Sequence, residues 1–196
     1  MKVITKLNLM IMEEISRDLT RKWSINSLSK VINKHYRPVH AAAQSLIAQE
    51  FLAKNTNDLV EPLFKNTFLL ELAEKQRLTE HNNKDIRIIA EKLSRIKTAF
   101  FSAVLFGSSV NKKGNDIDIL IIIPDSEKIA GFKKQAEEAL GSFCSKIDLN
   151  IVQEKSCYEM LNAPNQLNVM NELMKNHLVL SGAESFYNII KRWKNA

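Results

Sequence analysis

Absences narrow this sequence before any motif does. Only two cysteines, Cys144 and Cys157, occur in 196 residues. They stand in no metal-ligand spacing and form no disulfide framework, so they are expected as one buried and one half-buried thiol in a reducing compartment. No apolar stretch approaches the roughly 20 residues that cross a bilayer, and Glu13 and Glu14 interrupt the first apolar run. Neither a membrane span nor a signal peptide is therefore expected, and the chain reads as cytoplasmic. Internal repeats and low-complexity tracts are also missing. One absence is local: from Thr20 to Gln49 there is no Asp or Glu, although Arg21, Lys22, Lys30, Lys34 and Arg37 fall there. With 45% hydrophobic and 26% charged residues the composition is that of a globular protein. The net charge of +6 favours contact with an anionic partner, polymer or nucleotide.

Apolar spacing divides the chain. Leu7, Met10, Ile11, Ile15 and Leu19 form one helical stripe, and Leu28, Val31 and Ile32 a second. Pro38 suits the first turn of a third helix, whose inner face is Val39, Ala43, Leu46 and Ile47. Trp23-Ser24-Ile25 reads as a very short strand, with Ser24 or Asn26 capping the second helix. Phe51-Leu52-Ala53 and Leu59-Val60, separated by a polar turn, read as a hairpin. Helical patterns follow over Thr67–Leu78, Lys84–Thr98, Ser126–Leu140, Leu167–Lys175 and Ala183–Trp193, with Asp125 or Ser126 as an expected N-cap.

The chemistry concentrates in three apolar runs. Phe101–Phe106 ends at Gly107-Ser108. A polar loop from Ser109 to Asn115, carrying Lys112 and Lys113, leads to Asp116-Ile117-Asp118, which opens a second run through Ile123. A third run, Ile147–Val152, contains Asp148. Asp116 and Asp118 share one face of a strand, about 6.6 Å apart along the backbone. Carboxylates forced to about 4 Å repel by ~4 kcal/mol at an effective dielectric near 20. A divalent cation removes that repulsion, and hard oxygen donors without a Cys or His cluster select Mg²⁺ or Mn²⁺. Gly107 permits a sharp bend and a close approach to a ligand. Ser108 adds a hydroxyl and an N–H suited to phosphate. An Asp-x-Asp alone is more often a turn or a solvated edge than a site; the conjunction carries the weight.

This conjunction resembles the nucleotidyltransferase superfamily of DNA polymerase β, in particular its minimal members: strand, Gly-Ser, variable loop, Asp-x-Asp, and a third acid on a later strand. Asn115 stands where such proteins usually carry Ser. The segment His177–Tyr187 is also similar to the way such domains end. The resemblance implies catalytic and metal-holding roles for Asp116, Asp118 and Asp148. It implies nucleotide binding by Gly107, Ser108, Ser109, Lys112 and Lys113. The implied reaction moves a nucleoside monophosphate from ATP or another triphosphate to a hydroxyl of a protein, tRNA or small molecule. Residues 1–64 resemble a winged helix-turn-helix, with Lys30, Lys34, Arg37, His40 and Gln44 facing DNA or RNA, or alternatively a dimerisation or protein-docking module. The expected fold is α/β in the α+β sense: this module, a connecting helix over 65–85, and a small mixed-sheet nucleotidyltransferase domain flanked by helices over 86–196. The rival expectation is a non-catalytic DNA-binding regulator or antitoxin-like protein that uses the same fold to recognise a partner or nucleotide.

Overall fold

The computed structural model describes residues 4–97, 101–111 and 116–195. It opens with three helices, α1 (Lys6–Arg17), α2 (Ile25–Val31) and α3 (Tyr36–Ala48), and a hairpin, β1 (Leu52–Lys54) and β2 (Val60–Pro62). Local causes are visible at each start. Thr5 and Asn8 form a reciprocal capping box on α1, the Ser24 hydroxyl accepts the Ser27 N–H at α2, and Pro38 lies in the first turn of α3. Trp23 exchanges both backbone hydrogen bonds with Val60, at 2.9 and 2.8 Å, and so adds a one-residue third strand to the hairpin. Ile11, Ile15, Leu28, Val39, Ala43 and Leu46 close the centre of this group.

The main sheet has the order β5-β4-β3-β6, built from β3 (Ser102–Phe106), β4 (Ile117–Ile123), β5 (Ile147–Gln153) and β6 (His177–Ser181). β4 and β5 are parallel; the other pairings are antiparallel. On one face Ile117, Ile119, Ile121 and Ile123 pack with α5 (Lys84–Leu93) and α6 (Ile129–Leu140). Leu120 and Ile122, on the other face, share a core with α4 (Phe68–Thr79), α7 (Glu154–Leu161), α8 (Val169–Lys175) and α9 (Ala183–Asn195). Burial on both faces is why β4 reads as a continuous apolar run from Ile119 to Ile123. The chain is an α+β protein. Among the described residues no helix is long and apolar enough to cross a membrane.

Four points differ from expectation. The helix expected as a connection, α4, is deeply embedded: Leu69, Leu70, Ala73, Glu74 and Arg77 are all buried, and one apolar core runs from Ile11 and Ile15 to Val104, Leu120 and Val179. Asp125 does not cap α6; its carboxylate accepts the Lys155 N–H at 3.0 Å and caps α7 across space. Helix α7 itself was not expected, since Gln153 at its start offers no side-chain cap. The expected extension of α5 to Thr98 falls partly outside the described residues, and α5 ends at Leu93.

A buried ion pair fastens the N-terminal group to the sheet. Arg77 donates to Glu74 at 2.6 Å and to the Ser16 hydroxyl at 3.2 Å. Glu74 also accepts the Val179 N–H at 2.8 Å and the Tyr187 hydroxyl at 3.1 Å. Such burial is tolerable because the carboxylate is hydrogen-bonded from several sides. Beside it, His177 donates from Nδ1 to the Leu173 carbonyl at 2.6 Å, while Nε2 has no hydrogen-bond partner among the described residues. Burial pushes this imidazole down to about 4, overriding the attraction of Glu74 3.8 Å away.

Candidate active site

Strand β3 ends at Phe106 and the backbone folds into one 3₁₀ turn, Gly107–Val110. Gly107 has φ +73°, and a Cβ there would stand 2.7 Å from Oδ2 of Asp118. The backbone conformation therefore favours glycine, and a side chain there would have to push the Asp118 carboxylate aside. The turn is held close to the acid that follows it on the next strand.

Register assembles the acids. In β4, Asp118 pairs with Phe106 on one side and with Asp148 of β5 on the other. Paired residues on neighbouring strands project from the same face, and the strands lie about 4.8 Å apart. The two carboxylates thus rise side by side. They line a cleft of about 510 Å³ together with Gly107, Asn150, Leu167 and Glu172. Asp118 is half-buried and Asp148 exposed. Among the described residues no Lys or Arg lines the cleft, in a chain with a surplus of positive charge. Burial, and then the negative charges of Asp148, Asp116 and Glu172, raise the pKa of Asp118 above its ordinary value.

Asp116 stands just outside β4, exposed, and does not line the cleft, although its charge is felt at Asp118. Among the described residues no three His, Cys, Asp or Glu side chains come together as a metal-binding group. The structure therefore brings together a carboxylate pair with a third acid at its edge. Ser108 is exposed beside Gly107. Ser109 is fully buried, and its hydroxyl donates to the Asp116 carbonyl at 2.5 Å, so it ties the loop shut and faces away from the cleft. Lys112 and Lys113, like Asn115, lie outside the described residues.

Sequence reasoning missed Glu172, Asn150 and Leu167. Asn150 was within reach, because it shares the face of Asp148 two residues further along β5. Glu172 comes from α8, and only the tertiary fold brings it over the sheet. Leu167, 94% exposed at the rim, carries no sequence signal.

The basic residues proposed to face nucleic acid do not line this cleft. Lys30, Lys34 and Arg37 are exposed, and His40 and Gln44 half-buried. Along α3, Arg37, His40, Ala41 and Gln44 follow an i, i+3, i+4, i+7 spacing, opposite the buried Val39, Ala43 and Leu46. No family profile, curated protein or solved structure matches the chain.

Proposed function

We propose that the chain is a metal-dependent nucleotidyltransferase that moves a nucleoside monophosphate from ATP or another triphosphate to a hydroxyl acceptor. The observation that carries this reading is the in-register pair Asp118 and Asp148, on one face of the sheet beside a turn whose Gly107 comes within contact of the Asp118 carboxylate. Neighbouring acids in a cleft that no described Lys or Arg lines fit a hard divalent cation, and Mg²⁺ or Mn²⁺ typically takes one or two protein carboxylates, leaving other positions to phosphates and water. A closed cage of three acids is therefore unnecessary. Asp118 and Asp148 would hold the cation, with Asp116 at the edge. When bound, the cation would neutralise the triphosphate and acidify the acceptor hydroxyl.

The remaining work belongs to the chain. Gly107 and Ser108 would bind the β- and γ-phosphates through N–H groups and the Ser108 hydroxyl. Ser109 keeps the loop folded back on Asp116, and Lys112 and Lys113 are the cations nearest in sequence. The acceptor oxygen attacks the α-phosphorus in line, the bond to the bridging oxygen breaks, and pyrophosphate leaves with the electron pair. Asp148, the more exposed of the pair, would face the acceptor and take up its proton. Magnesium-dependent pyrophosphate release should be abolished in Asp118→Asn with the fold intact. Undiminished release in that variant would remove the enzyme reading and leave the regulator reading, in which the cleft only senses a nucleotide.

The N-terminal group we read as a winged helix. Its exposed Lys30, Lys34 and Arg37, in a stretch free of acids, favour a phosphate backbone of DNA or RNA. Exposed Val31 and Tyr36 on the same elements suit a protein partner or a second copy, and salt-dependent binding separates these outcomes.

A further inference from the structure

The turn Gly107–Val110 is too short to hold its own shape, and it is clamped from outside at both ends. At its first residue the Gly107 carbonyl accepts from Asn176 Nδ2 at 3.2 Å. At its last residue the Val110 carbonyl accepts from His81 Nε2 at 3.1 Å. His81 accepts the Asn83 N–H on Nδ1 at 3.2 Å, which leaves the proton on Nε2 for Val110. Asn176 Oδ1 in turn accepts from Asn111 at 3.0 Å, just past the turn. Asn111 also accepts from Arg17 of α1 at 3.5 Å.

Both clamps stand on rigid supports. Asn176 immediately precedes β6, whose His177 pairs with Phe106, the residue before the turn. His81 follows the end of α4, the embedded helix. The turn is a partition: Gly107 lines the cleft, while Val110, Asn111 and His81 line a second hollow of about 390 Å³. The clamps pull on carbonyls, leaving the exposed Ser108 and the Gly107 backbone presented beside Asp118. A turn that approaches a carboxylate this closely tolerates little drift, and a misplacement of about 1 Å at a reacting centre can cost roughly a hundredfold in rate.

We propose that His81 and Asn176 are positioning residues for the triphosphate: they act through the Gly107–Val110 turn and set how tightly its β- and γ-phosphates are held. This rests on the nucleotidyltransferase reading. Neither residue is among those lining the cleft, so removing either should affect a ligand with β- and γ-phosphates and spare one without them.

The test measures dissociation constants for a non-transferable ATP analogue and for AMP by calorimetry, with Mg²⁺, in wild type, His81→Ala, His81→Gln, Asn176→Ala and Asn176→Asp. Loss of one hydrogen bond of ~1 kcal/mol corresponds to about fivefold. His81→Ala, Asn176→Ala and the isosteric Asn176→Asp should each weaken the analogue by about fivefold or more, raise KM more than they lower kcat, and leave AMP unchanged. His81→Gln retains a donor able to reach Val110 and should restore binding to within about twofold. The proposal is overturned if the analogue binds every variant as it binds wild type, if AMP weakens in parallel, or if His81→Gln is as defective as His81→Ala. Should wild type bind no triphosphate at all, the nucleotidyltransferase reading falls with it. Should wild type bind and the variants match it, only the clamp falls. If the alanine variants do not fold, Asn176→Asp and His81→Gln still give opposite expected outcomes.

Discussion

Gly107→Ala is the perturbation whose consequences the site geometry specifies most fully. The residue sits at φ +73°, where an L side chain costs about 1–2 kcal/mol. The added methyl would also stand 2.7 Å from Oδ2 of Asp118, closer than real Cβ contacts allow. The opposing atom is the end of a side chain, so relief comes from swinging the Asp118 carboxylate away and not from unfolding the sheet. The stability cost should stay near ~1–3 kcal/mol, a fall in melting temperature of roughly 2–10 °C for a chain of this size. Activity should fall much further, by roughly a hundredfold or more, because the displaced carboxylate is the one expected to hold the cation. Gly131 is the control. A Cβ there meets nothing within 4 Å, and it lies in helix α6. Gly131→Ala should stabilise by about 0.5–1 kcal/mol and leave activity alone. Melting curves and pyrophosphate release on the two variants read both effects. A Gly107→Ala protein with wild-type stability and turnover would refute the placement of the turn against Asp118.

Three further outcomes follow from charge. Asp118 binds its proton more tightly folded than unfolded, so its ionisation costs stability once the pH is above its raised value, and that cost is relieved as the pH falls toward the ordinary 3.8. Asp118→Asn should therefore melt higher than wild type at neutral pH, with the gain fading in acid; an equal or lower melting temperature at pH 7 would contradict the carboxylate cluster. His177 behaves oppositely: folded it stays neutral down to about 4, while the unfolded chain protonates near 6.5, so stability on the order of 3 kcal/mol is present above pH 6.5 and is lost as the pH falls through that window. Imidazole NMR of the folded protein checks this, and a His177 resonance titrating near 6.5 would refute it. For the N-terminal group, replacing Lys30, Lys34 and Arg37 together by Ala should flatten the salt dependence of DNA binding by about 0.9 in log–log slope for each phosphate that is no longer neutralised. Dimers that persist in solution without DNA binding at low salt would assign the group to docking.

Much of the fold was legible because periodicity and caps are local. The stripes of α1 and α3, the cap at Ser24, the hairpin and the strands around Asp118 and Asp148 followed from spacing, whereas in α2 Leu28 is buried but Val31, placed on the same stripe, is exposed. Of the strand expected over Trp23-Ser24-Ile25 only Trp23 pairs, in a single bridge to Val60, because Ser24 caps α2 and Ile25 opens that helix. The shared face of Asp118 and Asp148 depends on pairing register, which the sequence constrains only through the isoleucine alternation. Features set by distant partners were not legible. Asp125 looks like the cap of its own helix but serves α7, thirty positions along. Glu74 and Arg77 sit on what reads as a connecting helix, and only the packing of α1, β6 and α9 around them shows why they are buried. Glu172 and Asn176 reach the site because α8 folds back over the strands, a choice of topology that no local pattern encodes.

In the proposed reaction the bond broken lies between the α- and β-phosphates. Incubating the protein with Mg²⁺, host lysate and ATP labelled at either the α- or the γ-phosphorus tests it directly, with Asp118→Asn alongside. The account predicts that α-label becomes attached to an acceptor, that γ-label leaves in pyrophosphate, and that the variant does neither. Transfer of γ-label to the acceptor, or equal α-labelling by wild type and Asp118→Asn, would contradict it.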